Sequence, residues 1–374
     1  MLNLRNMWRR HRRKVFVCCG LFGGGYLLYK LYNAHRQRLD NLERELASER
    51  KKVDGLIKDQ MQAHFENIQR IADTTTLQHA MQFLSSRIEE ELELSHLTDR
   101  LMKGKDQQNT LTSSEKLELW DQLKILSFTR LVLSMWAMTI LSLYIRVQVN
   151  ILGRHLYIDT ARHLGSSQSL DDGDLIDNDD QQKFLASADF LSAYGLPTLI
   201  SDMQTAVTQV LKGKQLRDFF NTTVLRETVM QILETFKSIR SSHLWVNYLM
   251  PEDARLHKLA TDSSSDDAIL SGVTKFDQLM VETRAVLSSA KFVNVAETAL
   301  AAVVDTLIEE MGAQCGGDNL ASGMPLARLL ARVAQMGPIL LEEPSKNQFI
   351  QTIQNVQEVE VLFTLLYSYA DLTD

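Results

Sequence analysis

Proline is scarce, five residues in 374, which removes the commonest interrupter of long helices. Cysteine is scarcer still: Cys18 and Cys19 sit inside an apolar run and Cys315 stands alone far downstream. Neither a disulfide framework nor a metal-ligand spacing can be assembled from them, so a body in reducing, cytosol-facing surroundings is the economical reading. Catalytic signatures are missing as well. The chain has no HExxH, no GxxxxGKS or GxxxxGKT, no GxGxxG after a strand pattern and no GxSxG elbow. None of its nine histidines stands beside a second metal ligand at helical spacing, and the carboxylates Glu89, Glu90 and Glu91 belong to a polar helix face. The expectation is therefore a protein that is not an enzyme and needs no cofactor. Alternating strand patterns are absent too, which leaves an all-α fold.

What is present is an uneven distribution of charge. Residues 1–40 hold nine Lys or Arg against a single acid, Asp40, giving +8 and leaving −15 for the rest of a chain whose net charge is −7. An acidic body repels phosphate backbones, which argues against nucleic acid; a basic end on such a body points to targeting and a membrane surface. Arg9, Arg10, Arg12, Arg13 and Lys14 precede the apolar run Val15 to Tyr29, which includes Phe16, Leu21, Tyr26 and Leu27. Fifteen helical residues reach about 22 Å, short of a hydrocarbon core of roughly 30 Å, so spanning requires Lys14 and Lys30 to snorkel. No small-x-small cleavage site follows, which counts against a secretory signal peptide. The arginines are bunched ahead of the run instead of lining one helix face, which counts against a mitochondrial presequence. Residues 1–33 read as a targeting segment and membrane anchor, and residues 34–374 as a cytosolic helical bundle.

Beyond the anchor, residues 34–72 carry Leu39, Leu42, Leu46, Val53, Leu56, Phe65 and Ile68 at amphipathic spacing, with the heptad broken by Glu49 and Gln60. A second amphipathic helix is predicted from about Leu77 to Met102, then a polar loop with Ser113 or Ser114 as N-cap of a helix running to about His163. Within that helix "LVLSMWAMTILSLYI", Leu131 to Ile145, is too short for a span and holds Ser134, Thr139 and Ser142. It reads as the buried centre of an elongated bundle. "GSSQSLDDGDLIDNDDQQ", Gly165 to Gln182, reads as a solvated acidic loop, because no EF-hand register places its glycine and closing glutamate correctly. Further helices are predicted over Gln182–Leu211, Leu216–His243, Thr274–Ser289, Val293–Met311, Leu326–Gln335 and Ser345–Tyr369. The sequon "NTT" at Asn221 falls inside one of these and reads as a chance match.

The start of the long helix carries more apolar arc than one neighbour covers. At about 100° per residue, Leu119, Leu123 and Leu126 form one ridge and Leu117, Trp120, Phe128 and Leu131 another, with Glu118, Gln122 and Thr129 as a polar strip. Lys116 and Lys124 flank Trp120 one turn before and after it, which puts the indole near solvent between cations. Two readings fit: a core tryptophan, or an aromatic anchor in a positively rimmed groove that accepts an acidic amphipathic helix.

"KLELWDQLKILSFTR", followed by "RVQVNILGRHLYID" and later by "YLMPED", "VETRAVLSS" and "MPLARLL", resembles the family of peroxisomal biogenesis factor 3 along most of the chain. The arginine-rich start and "YLLYKLYNAHRQRL" are similar to its plant branch. The resemblance implies a peroxisomal membrane anchor and a helical bundle whose membrane-distal end docks the N-terminal amphipathic helix of peroxin 19, a soluble chaperone carrying new membrane-protein cargo. It implies Trp120 as the central aromatic, Leu123 one turn on, and Lys116 on the basic rim. Met102 falls where relatives have leucine, and Arg328 where they have lysine. Arg154 stands where relatives can have a second glycine, and it is not carried over as functional. The basic block would by the positive-inside rule favour a cytosolic N-terminus, whereas the family places it in the matrix. A membrane-anchored tether or scaffold, self-associating through Leu39 to Ile68, is the rival from another class.

Overall fold

The computed structural model describes residues 69–106, 112–165, 178–239, 244–251, 274–314 and 318–367, with Ile176 and scattered helical positions before residue 69. The chain divides into two units, Met1–His64 and Phe65–Asp374. The basic block, the apolar run, most of the Leu39 to Ile68 pattern, most of the acidic loop and Cys315 lie outside the described residues. In the first unit the described positions, among them Arg36, Arg44, Lys51 and Ala63, are helical.

The second unit is all-α. Its elements are α1 (Leu77–Glu91), α2 (Ser95–Asp106), α3 (Ser113–Gly165), α4 (Asn178–Ala186), α5 (Leu196–Leu211), β1 (Phe219–Phe220), α6 (Thr222–Ile239), α7 (Lys275–Ser288), α8 (Ala290–Gln314), α9 (Asp318–Ser322), β2 (Met324–Pro325), α10 (Leu326–Leu340), α11 (Gln348–Asn355) and α12 (Gln357–Tyr367). α3, with 53 residues, is the axis: α1, α2, α4, α5, α7, α8, α10, α11 and α12 all pack on it. Leu131, Val132, Leu133, Met135, Ala137 and Met138 are fully buried there. By length and composition this helix passes as a membrane span, but 83% of its apolar window is buried inside the protein. The central-helix expectation holds.

Polar residues within the axis are handled locally. Thr129, Thr139 and Ser142 donate back to the carbonyls of Ile125, Met135 and Met138 at 2.7–2.8 Å. Thr129 is fully buried, so it does not belong to a solvent-facing strip, and the predicted polar face narrows to Glu118 and Gln122. Arg146 is the main charged exception. It forms a bidentate pair with Asp73 (3.0 and 2.9 Å) and lies 6.0 Å from the ring centre of Phe363. That pair locks the π-helical turn Ala72–Thr76, and with it the start of α1, to the axis and α12. Arg154 is similarly occupied: it donates to the Leu366 carbonyl (3.1 Å) and pairs with Glu282, whose second oxygen meets His155 at 2.8 Å.

Several boundaries differ from the sequence reading. The Leu77–Met102 helix breaks at Leu92–Leu94, where Leu92 leaves helical geometry (φ −117°, ψ 54°) because both leucines turn into the core. The N-cap of α3 is Thr112: Glu115 N donates to its Oγ1 (3.2 Å), and Thr112 N donates to Glu115 Oε2 (2.7 Å). Gln182–Leu211 is helical throughout but irregular, with a 3-10 turn at Ser187–Asp189 and a π turn at Leu191–Gly195 before α5; Gly195 passes under Tyr248, where a Cβ would lie 2.0 Å from the Tyr248 carbonyl oxygen. Ser345–Tyr369 divides at Val356. Leu216–His243 begins only at Thr222, because Phe219–Phe220 pair antiparallel with Met324–Pro325. Asn221 is then the cap of α6, its Oδ1 accepting from Val224 N (2.8 Å), and does not lie inside a helix.

Candidate functional site

The first turns of α3 project beyond the packed part of the axis. Thr112 through Glu118 are exposed, and Leu117 keeps 60% of its surface in water. Leu119 and Leu123 turn inward, 3% and 7% exposed, while Trp120 is half-buried at the edge between these environments. α2 packs on this part of the molecule and carries Met102, whose side chain lies outside the described residues.

Arg328 belongs to another element, α10. Gly337 of α10 packs on the Arg130 side chain, where a Cβ would meet Arg130 Cγ at 3.1 Å. Lys124 Nζ donates to the Lys214 carbonyl, and two residues on the Leu216 carbonyl accepts from Ala327 N (2.8 Å). The two tie points make α10 run in the same direction as α3. Arg328, next to Ala327, therefore stands at the start of α10 beside the connection that Lys124 holds. Arg328 is exposed, as is Lys116, and neither side chain makes an ion pair among the described residues. Phe219, 70% exposed, sits on the short ladder that leads into α10.

Lys124 is the correction. The spacing places it as a second solvent-facing lysine beside Trp120, but it is 5% exposed, donating to Asp121 Oδ1 and to the Lys214 carbonyl, both at 2.9 Å. The connection from α5 to β1 folds over it, so its charge is spent holding that connection to the axis. Lys116 and Arg328 remain exposed, as do Lys212 and Arg217 on the connection that covers Lys124. Leu117 and Phe219 are the apolar residues that sequence reasoning missed as accessible. Leu117 had a signal in its place on the Trp120 ridge; Phe219 depends on a two-residue ladder that no periodicity reveals.

The site is thus a half-buried indole with a protruding leucine beside it, exposed Lys116 one turn before it and exposed Arg328 at the start of α10. Among the described residues no group of three or more His, Cys, Asp or Glu is placed to hold a metal ion. Arg130, nearly three turns along the axis from Trp120, has its guanidinium pKa lowered by burial, against the opposing pull of Glu89, and its Nε lacks a hydrogen-bond partner among the described residues.

Comparison with known proteins agrees with the sequence. The Peroxin-3 family model matches residues 105–369. Peroxisome biogenesis proteins 3-2 and 3-1 of Arabidopsis thaliana are 57% and 58% identical over 366 residues, each alignment covering 98% of both chains. Peroxisomal biogenesis factor 3 of Homo sapiens is 29% identical over 378 residues, covering 96% of this chain and 95% of its own. Full-length likeness to the plant proteins at this level, together with the family match across the axis and every later helix, shows that the chain belongs to the Peroxin-3 family.

Proposed function

We propose that this protein is the docking receptor of the peroxisomal membrane for peroxin 19, seating that chaperone's N-terminal amphipathic helix at the Trp120 end of the bundle. It acts in peroxisome biogenesis by receiving cargo membrane proteins from the docked chaperone. The observation that carries the reading is the pairing of half-buried Trp120 with exposed Leu117 on a helix otherwise enclosed by neighbours. An amphipathic helix binds such a surface through apolar residues at i, i+3, i+4 and i+7. Trp120 supplies the large amphipathic contact, and Leu117 and the remaining edge of Leu123 flank it; Met102 of α2 is the further residue of this reading that the resemblance supplies. Lys116 and Arg328 attract the ligand's acids, which raises the association rate more than the affinity. The basic residues 9–14 and the apolar run hold the chain in peroxisomal membrane lipid, with the bundle on the cytosolic side.

Calorimetry of the full chain in lipid nanodiscs, titrated with an acidic amphipathic peptide from the chaperone's N-terminus, tests this. Trp120→Ala should cost about 2–4 kcal/mol of binding, about thirtyfold or more in affinity, with circular dichroism unchanged. If wild type fails to bind, the receptor reading falls and a tether working through the 39–68 helix takes its place. If the variant binds like wild type, the site lies elsewhere.

A further inference from the structure

A second tryptophan of α3 lines a different feature. Trp136 is sixteen residues beyond Trp120, about 24 Å along the axis and about 160° around it, so the two face nearly opposite sides. It closes the inner end of a half-open pocket of about 180 Å³ between α3, α6, α8 and the turn Leu244–Tyr248. Trp136 meets Phe236, Trp245 and Tyr248 edge-on, at ring-centre distances of 5.5, 6.4 and 6.0 Å. Trp245 stacks on Phe292 (5.9 Å), and Tyr248 is pinned by its hydroxyl donating to Asp202 (2.5 Å). The rings are therefore held from behind, and the space they leave is not one they can easily close. Met230, Leu233, Val293 and Leu300 continue the apolar wall outward and are only half-buried.

The mouth is polar and unbalanced. Glu234, Lys237 and Glu297 line it; Lys237 pairs with Glu297 and is drawn by Glu234 as well, which raises its pKa. Among the described lining residues, two acids against one base leave the rim at −1. An apolar cavity of about 150 Å³ is enough to hold benzene. This one is larger, aromatic-walled and opens beside net negative charge, a combination suited to an apolar ring whose exposed end is cationic.

We infer that the Trp136 pocket is a binding site for a small arylalkyl ammonium molecule, its ring between Trp136, Trp245 and Leu300 and its ammonium at Glu234 and Glu297. The site is separate from the Trp120 end and does not depend on the receptor reading.

The test is photolabelling of the full chain in lipid nanodiscs with an aryl trifluoromethyl diazirine carrying a benzylic amine, with labelled peptides identified by mass spectrometry. Label is expected on the segments holding Leu233, Trp245 and Leu300, and is lost when excess phenylethylamine competes. The matching carboxylate probe should label them roughly tenfold less, because one unbalanced charge about 5 Å away changes sign from attractive to repulsive. Ala301→Phe and Met230→Trp, which fill the pocket from opposite walls, should each abolish the label, while Trp120→Ala leaves it intact. Glu234→Lys with Glu297→Lys, both at exposed positions, should reverse the preference toward the carboxylate and stands as the deciding variant if the filled pockets misfold. Unsaturable labelling, equal labelling by both probes, or undiminished labelling of a folded pocket-filled variant would overturn the assignment.

Discussion

Trp120 and Trp136 occupy the same helix, the first among Lys116, Glu118, Asp121 and Lys124 and the second inside the uncharged Leu131 to Ile145 run; one is half-buried at an edge and the other is 5% exposed inside a ring cluster. The neighbours differ as well. Around Trp136, α6, α8 and the Leu244–Tyr248 turn converge, and their aromatic residues fix the indole edge-on. Around Trp120 the axis has outrun much of its packing, so Leu117 one turn earlier stands in water. A helix apolar over much of its surface can be enclosed along one stretch and leave an aromatic edge open along another; the charges beside Trp120 already mark the change, and the neighbours complete it.

Replacing each tryptophan separates the two roles most sharply. Trp136→Ala should destabilise the fold by about 3–5 kcal/mol in chemical denaturation, as large-to-small core changes do. Trp120→Ala should cost about 1 kcal/mol or less of stability while removing most binding to the acidic helix. Similar stability losses from the two would erase the distinction. Next in size is the Arg146–Asp73 pair. Arg146→Met leaves the Asp73 carboxylate, about a quarter exposed, without its partner, and should lower stability by about 3 kcal/mol with peptide binding unchanged.

The lysines repeat the contrast on a smaller scale. Lys124→Met removes two buried hydrogen bonds while keeping the stem, and should cost about 1–2 kcal/mol of stability. Lys116→Ala should leave stability within about 0.5 kcal/mol, slow peptide association and flatten its salt dependence in stopped-flow measurements. The smallest effect belongs to the cap of α3. Backbone and hydroxyl hydrogen bonds from Thr112 lower the Glu115 carboxyl pKa below its ordinary value. Its contribution is therefore present above the ordinary carboxylate range and is lost as pH falls through the lowered value. The melting-temperature difference between wild type and Thr112→Ala should accordingly shrink as the solution is acidified.

Much of this was legible in the sequence. The long helix from residue 113, the helix that Thr274 caps and the buried Leu131 to Ile145 stretch follow from side-chain period and the short apolar run. Breaks at Leu92 and Val356 were not legible, because each is imposed by contacts or turns that leave the apolar period almost continuous. At the site, Trp120 and Lys116 have the exposure their spacing suggests. Lys124 does not, because a connection ninety residues away folds over it.

The sequence by itself determined the helical class, the central helix, the charge asymmetry between a basic start and an acidic body, and the family. These depend on local periodicity, composition and residue motifs that survive in one dimension. Tertiary structure alone decided which lysine beside Trp120 is covered, brought the start of α10 with Arg328 to the connection that covers it, and gathered Trp136, Phe236, Trp245 and Tyr248 around one cavity. Those outcomes depend on which distant segment covers which face, and packing between elements far apart in the chain leaves no period to read.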